Sequence, residues 1–161
     1  MRLAVFLGFV FIATSAAAYD ANGVALGASE KAIASRFPNA YCKPLEWTSR
    51  AADRRCDDAK ISLGGVNARI TFYLKSDQVQ AFEVRFESRD TDRMAAFLKS
   101  RYGKPLAEIR EKSDERRGGE LYLVRWEAGD ERAVLTSQAD KRRASLSVSR
   151  GDFEDEIYRV R

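Results

Sequence analysis

The stretch "VNARITFYLKSDQVQAFEVRFE", residues 66–87, decides the fold. Val66, Ala68, Ile70, Phe72 and Leu74 alternate with Asn67, Arg69, Thr71, Tyr73 and Lys75; beyond the turn "KSDQ", Phe82, Val84 and Phe86 alternate with Glu83, Arg85 and Glu87. A period of two gives each strand one buried face. Two such strands around a short polar turn predict an antiparallel hairpin. Arg69 and Arg85 then fall opposite the apolar face.

Working outward, "RDTDRMAAFLKSRYGKP" (89–105) reads as the clearest helix. Asp90 or Thr91 serves as its cap, Met94, Phe97, Leu98 and Arg101 or Tyr102 follow helical spacing, and Gly103 and Pro105 stop it. Upstream, Ser29 caps a short helix carrying Ile33 and Phe37, which Pro38 ends. "KISLGG" (60–65) reads as a brief strand ending at a glycine pair. Downstream, "LAEIREKS", "ELYLVRWE", "ERAVLTSQ" and "RASLSVSR" read as strands, the last with a wet serine face, and Arg125 again lies opposite the core. The tail "GDFEDEIYRVR" reads two ways: a short helix docking Phe153, Ile157 and Val160, or an end that frays from residue 151.

The order is helix, strands, helix, strands, with links short enough for antiparallel hairpins. It predicts an α+β fold with two helices packed on one face of an antiparallel sheet. "RFP" and "RYGKP", each ending a helix at an aromatic residue followed by proline, form a faint internal repeat.

Arg2, the apolar run Leu3 to Ile12 and the small residues Ala16 and Ala18 match an export signal cleaved after Ala18. The run is too short to span a membrane, which takes about 20 apolar residues, and no second long run follows. Residues 1–18 are thus the expected cleaved signal peptide and 19–161 a single domain. The expected location is periplasmic or secreted, with no transmembrane segment after signal removal. A chain of 161 residues can bury about two thirds of the surface its unfolded form exposes.

Export also decides the reading of "AYCKPLEWTSRAADRRC" (40–56), which holds both cysteines. In an oxidising compartment they read as a disulfide, Cys42 to Cys56. The chain has no histidine for a zinc site, and the spacing is not that of a thiol oxidoreductase. Closing this loop stabilises the fold by about 3 kcal/mol in chain-entropy terms. The polar loop with Pro44 and Trp47 reads as an irregular excursion pinned by the staple.

Absence of histidine also excludes Ser-His and Cys-His triads and the zinc-protease helix. There is no Ser-x-x-Lys motif, phosphate loop or calcium loop, so no cofactor or metal is expected. The acidic runs "CDD" and "DFEDE" leave one enzymatic alternative, a small carboxylate-dependent hydrolase or carbohydrate-active enzyme. The net charge of +4 is mild and its charges are interspersed, which argues against nucleic acid despite "DRRC", "ERRGG" and "DKRRA".

The combination "GVALGAS…RFPNAYC…RRC…LGGVNARITFYL…AFEVRF…LKSRYGKP…RW" resembles a group of small exported bacterial proteins over nearly the whole mature chain. Through "LGAS" before the first helix and the aromatic-Gly-x-Pro after the second, the plan is similar to the secreted beta-lactamase inhibitor protein. It is also similar to the outer-membrane assembly lipoproteins of the SmpA/OmlA type, without their lipidation cysteine. The resemblance implies a binding or assembly role on a sheet face.

The expected function is a non-enzymatic exported module that binds a protein or an anionic envelope component. Large amphipathic and cationic side chains are its candidate contacts: Trp47, Arg54, Arg55, Arg69, Tyr73, Arg85, Tyr122 and Arg125. Trp126 reads as core, and Trp47 is open to either fate.

Overall fold

A computed structural model describes residues 18–112 and 119–158. The expected signal peptide, save Ala18, and Val160 of the tail lie outside them. The described chain opens with a small hairpin, β1 (Asp20–Ala21) and β2 (Val24–Ala25). Its turn, Asn22-Gly23, takes positive φ at both residues, as a tight two-residue hairpin requires.

Helix α1 (Glu30–Arg36) leads to strands β3 (Tyr41–Pro44), β4 (Arg54–Leu63), β5 (Val66–Lys75) and β6 (Gln78–Glu87). A 3-10 turn (Ser88–Asp90) leads to helix α2 (Thr91–Tyr102). Strands β7 (Ala107–Lys112), β8 (Glu120–Ala128), β9 (Glu131–Gln138) and β10 (Arg143–Arg150) follow, then the short helix α3 (Phe153–Glu156).

The eight long-sheet strands lie in the order β3-β4-β5-β6-β10-β9-β8-β7, each pair antiparallel. Each half is therefore a helix followed by a four-strand meander, and the halves meet where β6 pairs with β10. "RFP" and "RYGKP" fall at matching places, the ends of α1 and α2.

Both long helices pack on one face of the sheet, as the sequence predicts, and their apolar residues are the reason. Ile33 of α1 and Phe37, which caps its end, are buried, with Phe37 edge-on to Phe72 of β5. Met94, Ala95 and Leu98 of α2 are buried in the same cluster. Tyr102 at the end of α2 stands edge-on to Trp126, whose indole N–H donates to the Gly103 carbonyl. Trp126 is core.

Gly64 shows how tightly helix and sheet fit. It has φ of +57°, and a Cβ there would sit 2.3 Å from the Phe97 ring. Only glycine serves both the turn and the close approach of α2.

The structure refines the reading at both cysteines, at β4 and at the tail. The cysteines themselves lie in strands, Cys42 and Cys56 being direct cross-strand partners in β3 and β4, while residues 45–53 between those strands form the irregular excursion that the staple pins. Strand β4 begins at Arg54 rather than at Lys60. Its alternation was masked by a bulge, where the register jumps between Asp58 and Ile61 and two residues, Ala59 and Lys60, face one. Of the two readings of the tail, docking is the one observed: Phe153 and Ile157 are buried.

Candidate functional site

With α1, α2 and the β1-β2 hairpin on one side, the opposite side of the sheet is the open face. Strand alternation and register lay its side chains out in rows. One row runs Asp57, Thr71, Glu83, Ser147, Val134, Arg125 and Ala107 from β4 to β7. The next holds Arg69, Arg85, Ser145, Thr136, Leu123 and Ile109.

One end of this face is covered. The chain between β3 and β4 and the tail form a second apolar cluster there, in which Ala52, Ala81, Phe153 and Ile157 are buried. Leu45, Trp47 and Tyr73 pack against it. The Trp47 indole N–H donates to the Ile157 carbonyl at 2.9 Å and its ring stacks on Tyr158; Ser49 Oγ donates to the Glu156 carbonyl. Phe153 lies against Tyr73 with ring centres 5.5 Å apart. Burial, with the Glu83 carboxylate nearby, pushes the Tyr73 hydroxyl pKa up.

Beyond this cover the face is wet and polar on β4 to β6. Arg55 grips Asp57 through two hydrogen bonds of 2.8 Å, and Thr71 donates to the same carboxylate. Burial pushes the Asp57 carboxyl up, but these donors outweigh it and hold the group below the usual range. Arg85 holds Glu83 through two bonds of 2.9 Å. Toward β7 the face turns apolar: Leu121, Leu123 and Val134 are half-buried and Ile109 is 42% exposed. Beside them Arg125 and Arg132 share one carboxylate, Glu127, at 3.3 and 3.5 Å.

The sequence-predicted contacts are thus dispersed. Arg55, Arg69, Tyr73, Arg85 and Arg125 share the open face. Arg54 does not: adjacent strand residues point to opposite faces, so it lies on the helix side, gripping Glu30 of α1. Tyr122 is also on the helix side and only 5% exposed. Trp47 is half-buried beneath the tail. Ile109, Leu121, Leu123 and Arg132 were missed, as was Arg143; the serine alternation of "RASLSVSR" placed Arg143 on the open face already.

The sulfurs of Cys42 and Cys56 are joined at 1.97 Å on the helix side of the sheet. Glu30 brings a carboxylate oxygen within 4.8 Å of them, but the disulfide consumes both thiolates that a metal would need. The "CDD" carboxylates do not face each other. Asp57 is on the open face, while Asp58, 4% exposed, points to the helix side and accepts the Lys60 amide, which fixes the bulge. Among the described residues no helix is long and apolar enough to cross a membrane, and a disulfide fits an oxidising compartment.

No family model, curated protein or solved structure matches the chain, so its own geometry must carry the functional reading.

Proposed function

We propose that this protein is a non-catalytic binding module, exported to the periplasm or beyond, that seats an acidic protein partner on the open face of its sheet. One observation carries the reading: the strip of Ile109, Leu121, Leu123 and Val134, beside two arginines that share a single carboxylate. Apolar side chains lose water on docking, while the surplus cation selects a negative partner. Arginine is also among the residue types that dominate binding energy at protein interfaces, and the apolar strip beside it excludes water. The binding role implied by the resemblance to small exported proteins is of the same kind and is part of this proposal.

The test is site-specific photo-cross-linking. A photoreactive residue replacing Thr136, directly opposite Leu123 at the border of the strip, is expected to give a discrete adduct in the native extracytoplasmic fraction. Arg125→Glu with Arg132→Glu should suppress that adduct. An adduct that persists at full yield in the charge-reversed variant, or none at all, contradicts the proposal.

A further inference from the structure

Most cations on the open face have a carboxylate within ion-pair distance. Arg55 pairs with Asp57, Arg85 with Glu83 and Arg89 with Glu87, and Arg125 and Arg132 share Glu127. Arg69 and Arg143 break the pattern: among the described residues neither has an ion-pair partner. Their placement compounds the imbalance. Arg69 lies directly opposite Arg85 across β5 and β6, a like-charge pair that opposes sheet pairing. Arg143 stands opposite Glu87, whose carboxylate is 3.1 Å from Arg89.

The third wall comes from the bulge. Asp58 holds the Lys60 amide at 3.0 Å, so Ala59 and Lys60 jointly oppose Arg69. With only the methyl of Ala59 there, the sheet leaves a cleft of about 210 Å³ beside Asn67, Arg69, Arg85, Glu87 and Arg143.

We propose that this cleft binds a phosphate monoester. Charge balance selects the ligand. Glu83 matches Arg85 and Arg89 matches Glu87, which leaves the two guanidinium charges of Arg69 and Arg143. A phosphate monoester carries about −1.5 to −2 at neutral pH and neutralises both; a single carboxylate would leave one unmatched. Its oxygens suit the planar fork of arginine, which donates two parallel hydrogen bonds, and the Asn67 amide adds a neutral donor. The inference goes beyond the protein-binding reading, since the cleft lies on β4 to β6 and the apolar strip on β7 to β9. Either can fail without the other.

The test is a titration of the oxidised protein with inorganic phosphate at low ionic strength, followed through the arginine Nε–H resonances. Saturable shifts are expected at Arg69, Arg85 and Arg143. Arg69→Gln and Arg143→Gln should each weaken the apparent affinity about tenfold, the loss of one charge-assisted contact. Arg93→Gln, on the outer side of α2, should leave it unchanged. Arg69→Gln also removes the like-charge pair, so its Tm should hold or rise; the lost binding then has no folding explanation. Shifts that grow linearly and spread over all exposed arginines overturn the proposal. So does competition by poly-glutamate as strong as that by phosphate at equal charge. Two further arms assign the source. Arg69-dependent flotation with phosphatidic acid vesicles, and not with phosphatidylcholine vesicles, supports a lipid headgroup; binding of glycerol 3-phosphate without flotation supports a soluble monoester.

Discussion

The two edges of the sheet face the same problem and are held by different chemistry. At one edge β3, four residues long and ending in Pro44, is bonded to β4 by the Cys42–Cys56 disulfide. At the other edge β7, six residues long, has no covalent tie to β8. It is held instead by a polar cluster around Tyr122. The Tyr122 hydroxyl donates to Glu108 at 2.6 Å, and Lys99 of α2 donates to the same carboxylate at 2.8 Å. The Arg110 guanidinium lies 4.0 Å over the Tyr122 ring and reaches Asp92 of α2 at 2.7 Å. One edge should therefore answer to reductant, the other to salt and acid. The covalent edge also anchors the chain that covers one end of the open face, whereas the ionic edge borders the uncovered apolar strip.

The largest effect expected is at the covalent edge. Replacing both cysteines by serine should cost about 3 kcal/mol of unfolding free energy, measured by urea denaturation. The loss should be the same at low and high salt. Mass analysis of the untreated protein should show it lighter by two hydrogens than its reduced form; two free thiols would remove the covalent half of the comparison.

At the ionic edge Tyr122→Phe keeps the ring and removes the hydrogen bond to Glu108. A cost of about 1 kcal/mol is expected by the same denaturation. Arg110→Gln should cost less, about 0.5 kcal/mol, because cation–π and ion-pair contacts at an exposed site are weak. That smaller cost should shrink further in high salt, which the cysteine variant's should not.

The smallest effect is on acidification. Lys99 and then Tyr122, by hydrogen bonding, hold the Glu108 carboxyl below its usual range. A depressed carboxyl contributes stability that is present above its unfolded pKa, about 4.3, and lost as pH falls through the folded value. Amide exchange should therefore show β7 opening before β3 as pH is lowered through this range. Opening of both edges together would mean that the Glu108 cluster adds nothing.

Much of the fold was legible because its main strands bury one face. In residues 66–87 every second side chain from Val66 to Leu74 is apolar, and the hairpin follows. Helix α2 was legible from its apolar spacing and the stop at Gly103. The first half of β4 was not, since Asp58 is buried against its type and the bulge resets the alternation. Pairing of β6 with β10 also escaped, because nothing local joins residues about sixty positions apart. At the candidate site the arginines of clean strands, Arg69 and Arg85, were placed correctly. Tyr122 was not: it is three residues from Arg125, so the alternation that puts Arg125 on the open face puts Tyr122 on the other, and naming both as contacts followed residue type rather than pattern.

The central claim is that the side of the sheet away from the helices is where a partner docks. Hydroxyl-radical footprinting reads this side chain by side chain, comparing the purified protein with the protein in its native extracytoplasmic extract. Protection of Ile109, Leu121 and Leu123, with Phe97 on the helix side unchanged, is the predicted result. Unaltered labelling of all three, or protection confined to the helix side, would contradict the account.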